Sequence, residues 1–304
     1  MRVLISADME GVTGVTCPAD VQPGSARWQY FRAMLSGDVN AAADGFFAAG
    51  ADEVIVNEAH ADKRNLLIDE LDDRAVAIIG THKPFGMMEG IDSGVDAVAF
   101  VGYHAGAGQP GVLSHTYLGT TIVQVSVNGA PASEGRMNAL LAAEFGVPVV
   151  LVTGDDVTCE DAVSWAPGAA RVAVKRCVDR YTAECLTPAR TAAMIRAAAS
   201  ASLAAVTGQA GTGQAGTGQA GTGQAGTGQA VPGQAGPADR LEGPFRYEVE
   251  FDATQPVVAC TAIPGVHQSG PRSIAFTLPS MATAIRCFKA VTVLAAASVE
   301  PGYG

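Results

Sequence analysis

Through the first half of this 304-residue chain, short runs of consecutive apolar residues alternate with segments whose apolar residues recur at helical spacing. The runs Val3-Leu4-Ile5-Ser6-Ala7 and Glu53-Val54-Ile55-Val56-Asn57, with those at 75–80, 97–102 and 147–153, are too short for ordinary helices and too apolar for a wet face. Between the first two, Phe31, Met34, Leu35, Val39, Ala42 and Phe46 keep the period of a helix that stops at Gly50. Strands buried on both faces and separated by helices fold as βαβ units. The expected fold class is therefore α/β: residues 1–168 form a mainly parallel sheet with helices on both faces. Within it, a strand at 121–127 ends in the tight-turn pair Asn128-Gly129, and Ser133 is placed to cap a helix over 134–145.

The second half has another texture. A strand at 170–177, a helix at 188–206, further strands at 256–262 and 272–278, and a terminal helix over 279–298 predict a smaller α+β domain, residues 169–304. Phe245, Tyr247, Val249 and Phe251 alternate with charged residues, the period of a strand with one wet face. This domain is interrupted by the pentapeptide Gly-Gln-Ala-Gly-Thr, repeated from Gly208. Its short period has no apolar face to stack, so a flexible loop is expected at about 207–238.

Charge and cysteine usage narrow the partners. Lys and Arg number 19 against 30 Asp and Glu, a net charge of −11, which argues against nucleic acid and anionic membrane surfaces. No apolar stretch approaches the roughly 18 residues of a membrane span, and Asp8 and Glu10 interrupt any secretion signal. The six cysteines include no C-x-x-C pair; scattered reduced thiols fit a cytoplasmic protein.

The acids and histidines gather where the strands end. The first strand runs into Asp8-Met9-Glu10-Gly11, the second into Asn57-Glu58-Ala59-His60, and the run at 97–102 into Tyr103-His104. In parallel sheets the carboxyl ends of the strands form the ligand crevice. A mixture of imidazole and carboxylate there suits zinc, with manganese and cobalt as close competitors. Taken singly, each residue reads more readily as a turn cap or a solvated loop side chain than as a ligand; recurrence at three strand ends is what points to a site. His115 follows a glycine-rich turn, whereas His82 and His267 have no acidic neighbour in sequence. Glu134 gains from the dipole of its helix, whether as a first-turn acid or as a ligand. Gly154-Asp155-Asp156 reads as a capping turn, as support for a metal site, or, together with Asp8 and Glu10, as the Mg²⁺ site of a phosphohydrolase. The glycines between Gly102 and Gly108 lack the spacing of a dinucleotide loop.

Five segments, Asp8-Met9-Glu10-Gly11, Val56-Asn57-Glu58-Ala59-His60, Gly102-Tyr103-His104-Ala105, Gly111-Val112-Leu113-Ser114-His115 and Gly154-Asp155-Asp156, together resemble the motifs of the DppA-type D-aminopeptidases, a family of zinc metallopeptidases. The similarity covers nearly the whole chain apart from the repeat. It implies a dizinc aminopeptidase that releases the N-terminal residue of short peptides with a preference for D-amino acids. By the same resemblance Asp8 would bridge two Zn²⁺ ions, Glu10 and His104 would complete one site, and His60 and Glu134 the other. His115 would be the catalytic residue, as proton donor, oxyanion stabiliser or nucleophile. The family forms ring-shaped homodecamers whose sites face an internal channel. Besides the Mg²⁺-dependent phosphohydrolase, a noncatalytic metal-binding homologue is the remaining alternative.

Overall fold

The computed structural model describes residues 1–206, 208 and 242–300. In chain order its elements are β1 (Arg2–Ala7), α1 (Pro18–Val21), α2 (Ala26–Ala48), β2 (Glu53–Glu58), β3 (Val76–Ile78), β4 (Ala97–Val101), β5 (Ile122–Val127) and β6 (Ala130–Pro131). There follow α3 (Glu134–Glu144), β7 (Val149–Asp155), α4 (Asp156–Trp165), β8 (Ala170–Asp179), β9 (Thr182–Cys185) and α5 (Pro188–Val206). The last are β10 (Phe245–Phe251), α6 (Gln255–Cys260), β11 (His267–Gly270), β12 (Ser273–Leu278) and α7 (Met281–Ala297). Apart from Gly208, the repeat and the loop expected at about 207–238 lie outside the described residues.

The larger sheet has seven strands in the order β3-β2-β1-β4-β7-β8-β9, all parallel except β9 at the edge. The chain moves outward from β1 to β2 and β3, then returns to β4 on the other side of β1, pairing Ile5 with Val56 and with Ala99. That reversal opens a crevice at the carboxyl ends of β1, β2 and β4. Both faces are covered, which is why these strands are continuously apolar. Val3, Ile5 and Ala7 pack with Phe31, Leu35 and Phe46 of α2 and with Ile195 and Leu203 of α5. On the opposite face Leu4, Val98 and Phe100 join Met137 of α3, Trp165 of α4, Phe288 of α7 and Tyr247 of the smaller sheet. That sheet is antiparallel, in the order β11-β12-β10-β5-β6. Its hairpin turn is the predicted one, with Asn128 at φ 53° and Gly129 at φ 80°.

Three details depart from the sequence reading. A boundary at 168 does not divide the sheets: β8 and β9 complete the larger one, β5 and β6 belong to the smaller, and α5 packs along α2. The segment expected as a strand at 256–262 is instead α6, with Pro256 in its first turn. A short apolar run carries no period to choose between the two, and proline suits a helix start, where its missing N–H has no partner to lose. Finally, the helix expected over 279–298 begins at Met281, leaving Pro279 outside it and Ser280 as the cap, its side chain accepting from the Thr283 N–H.

Candidate metal centre

Backbone interlocking at the ends of β1 and β4 builds the floor of the crevice. The Asp8 N–H donates to Val101 O at 2.8 Å and the Gly11 N–H to Gly102 O at 2.8 Å. Neither glycine leaves room for a side chain: a Cβ on Gly11 would sit 1.9 Å from Tyr103 O, and one on Gly102, whose φ is +74°, would sit 2.2 Å from Asp8 O. This contact sets Asp8 and Glu10 beside His104. Beyond β2, the Ala59 N–H donates to Ala7 O at 2.7 Å, which carries His60 to the same edge. The Glu58 carboxylate accepts from the N–H groups of His60 and Asn65 and from the Asn65 amide, so it shapes this turn and stays out of the cluster. Glu134 opens α3, behind Ser133, whose hydroxyl accepts from the Arg136 N–H.

Asp8, Glu10, His60, His104 and Glu134 are buried together, with His115 at their side. His60 Nδ1 lies 3.0 Å from Glu10 Oε2 and 3.4 Å from Asp8 Oδ1. His104 Nε2 lies 3.4 Å from Asp8 Oδ2 and 3.6 Å from Glu134 Oε1, and His115 Nε2 is 3.8 Å from Glu10 Oε1. The rings of His104 and His115 stack with centroids 4.2 Å apart. Two groupings are compact enough for a cation: Asp8, Glu10 and His104, and His104, His115 and Glu134. His60 thus sits against Glu10 and Asp8, while Glu134 sits against His104.

The far nitrogen of each ring meets a backbone carbonyl: His60 Nε2 at Val21 O, His104 Nδ1 at Ala105 O and His115 Nδ1 at Leu113 O, each 2.9 Å. A carbonyl oxygen can only accept, so in the neutral rings these nitrogens carry the proton and the opposite nitrogen turns a lone pair toward the carboxylates. Asp8 Oδ2, Glu10 Oε2 and His104 Nε2 are buried without any hydrogen-bond partner. No Lys or Arg among the described residues pairs with the three carboxylates, although such burial normally demands compensation. The conflict is visible in the proton affinities. Burial alone would lower His60 and His104, yet Glu10, Glu134 and Asp8 outweigh it and hold both well above the usual imidazole range. Burial would raise Asp8 and Glu10, and the imidazoles outweigh it and hold both below the usual carboxylate range. Converging acceptor atoms, borderline nitrogen and oxygen donors and uncompensated carboxylates fit a divalent cation of the zinc type.

The other sequence candidates lie elsewhere. His82 and His267 are exposed and apart from the cluster. The Asp155 carboxylate is occupied by the N–H groups of Val112 and Thr158 and the Thr158 hydroxyl, and Asp156 Oδ1 by the Cys177 N–H. The acidic set required for the phosphohydrolase alternative is therefore not assembled. Several contributors have no local signature. The Tyr117 N–H donates to Glu134 Oε1 at 2.7 Å, and Met87 and Leu118, with Thr292, Val293 and Ala296 of α7, wall a cleft of about 430 Å³ over the cluster. Lys175 Nζ donates to the carbonyls of Glu10, Val12 and Val15 at 2.6, 3.0 and 2.7 Å. A lysine directly after the apolar run Val172-Ala173-Val174 of β8, buried where Arg171 and Arg176 are not, marks that role only once the burial is known.

Comparison with known proteins gives one consistent result. The family model of peptidase M55, described as D-aminopeptidase, matches residues 1–216. A D-aminopeptidase of Bacillus subtilis (strain 168) is 33% identical over 195 residues, which cover 64% of this chain and 71% of that protein. A solved structure, the Zn-dependent D-aminopeptidase DppA from Bacillus subtilis, a self-compartmentalizing protease, superposes with a TM-score of 0.85 at 26% identity, over 97% of this chain and 98% of the other.

Proposed function

The chain belongs to the D-aminopeptidase family, peptidase M55, and from that premise we propose that its buried cluster is the dizinc centre of an aminopeptidase acting on short peptides. The protein is a zinc-dependent hydrolase of the N-terminal peptide bond, with the D-amino-acid preference of its family. The observation that carries the assignment is the set of unpartnered ligand atoms on Asp8, Glu10 and His104, facing one another with no Lys or Arg among the described residues to balance them.

Asp8, Glu10, His60, His104 and Glu134 would hold two zinc ions, Asp8 lying within 3.4 Å of both His60 and His104. When bound, such a pair lowers the pKa of water toward about 7 and polarises a carbonyl as a Lewis acid. The protein's own part is to place the peptide and move protons. His115 Nε2, on the side of Glu10, would take a proton from the attacking water and return it to the nitrogen of the departing amine, while Nδ1 stays bonded to Leu113 O. Met87, Leu118 and Val293 supply apolar wall, and a cleft of about 430 Å³ suits a dipeptide better than a folded protein.

We also propose that the protein works as a homo-oligomer, the ring of ten implied by the family, in the cytoplasm. All six cysteines are free thiols, and no described helix is long and apolar enough to cross a membrane. The test is a panel of D- and L-alanyl dipeptides and amides on zinc-loaded protein. D-alanyl substrates should release free alanine, and turnover should vanish on chelation and return with zinc; no turnover on any member would overturn the proposal.

A further inference from the structure

His115 sits on a segment whose backbone is held in an unusual shape. Leu113, a buried residue, has φ +53°, a conformation a leucine adopts only when its surroundings impose it. Gly111, two residues earlier, has φ +145°, and a Cβ there would lie 2.7 Å from Ala105 Cβ. Three hydrogen bonds impose the shape: the Val112 N–H donates to Asp155 Oδ2 at 2.6 Å, the Leu113 N–H to Arg180 O at 2.8 Å, and the His115 N–H to Ala105 O at 3.2 Å. The product of this clamp is the Leu113 carbonyl, aimed at His115 Nδ1 at 2.9 Å.

Of the three clamps, the one from Asp155 is supplied by a side chain. Asp155 is the last residue of β7 and caps α4: its Oδ1 accepts from the Thr158 N–H and hydroxyl at 2.8 and 2.6 Å. Capping α4 occupies one oxygen. The second reaches across to the His115 segment, and a helix cap alone does not require it. We propose that Asp155 is a positioning residue for His115: by clamping Val112 it fixes the Leu113 carbonyl, which locks the proton of His115 on Nδ1 and leaves Nε2 bare beside the metal ligands. The catalytic consequence rests on the role given to His115 above; the tautomer lock does not.

Two substitutions separate the cap from the clamp. Asp155→Ser keeps a capping oxygen for Thr158 but is too short to reach Val112. Asp155→Asn has a single acceptor oxygen, so with that oxygen on the Thr158 cap it sets an amide N–H₂ against the Val112 N–H, and cap and clamp are never both kept; it serves also if the serine variant fails to fold. Thr158→Ala loosens the cap and leaves the clamp. The readouts are the ¹⁵N imidazole spectrum of zinc-loaded protein, with the His115 signal assigned by its loss in His115→Ala, and steady-state hydrolysis of a D-alanyl dipeptide. Wild type and Thr158→Ala should both show His115 as the Nδ1–H tautomer. The Asp155 variants should show a mixture with the Nε2–H form, a kcat at least tenfold lower, KM within about twofold and full zinc content. Wild-type tautomer in both Asp155 variants, or loss of zinc in them, would overturn the proposal. A fully active, zinc-loaded His115→Ala would instead remove the catalytic reading of His115 and leave the tautomer result to decide the clamp.

Discussion

His60, His104 and His115 share one device: a backbone carbonyl accepts a hydrogen bond from the far nitrogen, so in the neutral ring the near nitrogen has only a lone pair to offer. What distinguishes His115 is its greater distance from the carboxylates and its partial exposure, which suit proton transfer better than permanent ligation. His115→Ala should keep its zinc and lose kcat roughly 100- to 10,000-fold, checked by elemental analysis beside steady-state kinetics. Away from the centre, Asp38 is a buried acid whose charge burial disfavours. Burial outweighs its hydrogen bonds from the Thr13 N–H and hydroxyl and lifts it to about 6 from the ordinary 3.8. The folded chain therefore keeps a proton that the unfolded chain has released, and the stabilising contribution present below pH 4 is lost as pH rises to about 6. Asp38→Asn cannot ionise. Its stability relative to wild type should rise by about 3 kcal/mol between about pH 3.5 and about pH 6.5, measured by urea unfolding of zinc-free protein; a difference independent of pH would contradict this.

At the scale of elements, strand ends were legible because each announced itself locally. An apolar run stops at an acid or a histidine, and parallel topology takes those stops to one edge. The segment at 256–262 was not legible as a helix, since six residues with a proline carry too little period to decide. Nor could spacing reveal that α7 walls the cleft or that Lys175 of β8 braces the turn bearing Glu10, because both depend on packing between distant parts of the chain. The ligand allotment likewise came from family resemblance rather than from spacing. The brace can be tested directly. Lys175→Met should fill the same volume but strand three buried carbonyls, lowering stability by about 3 kcal/mol and weakening zinc retention, as read by thermal unfolding and dialysis against a weak chelator. Unchanged zinc retention would make the lysine a packing residue only.

For the whole molecule, the chain leaves the larger sheet for β5 and β6 of the smaller, returns for β7 to β9 and leaves again for β10 to β12, and the crevice at the larger sheet's edge is walled by α7. Folding and metal binding are consequently coupled: the cluster concentrates three carboxylates that only the folded chain brings together. Zinc at roughly 1,000 times its dissociation constant should stabilise the protein by about 4 kcal/mol, so chelation should lower the unfolding temperature and zinc should restore it, whereas Mg²⁺ at the same concentration should not. The most direct measurement is the metal content of the dialysed protein beside its Asp8→Asn variant. Wild type should retain two zinc ions per chain and the variant at most one; an empty wild-type protein, or a variant that keeps the full complement, would contradict a centre built on Asp8.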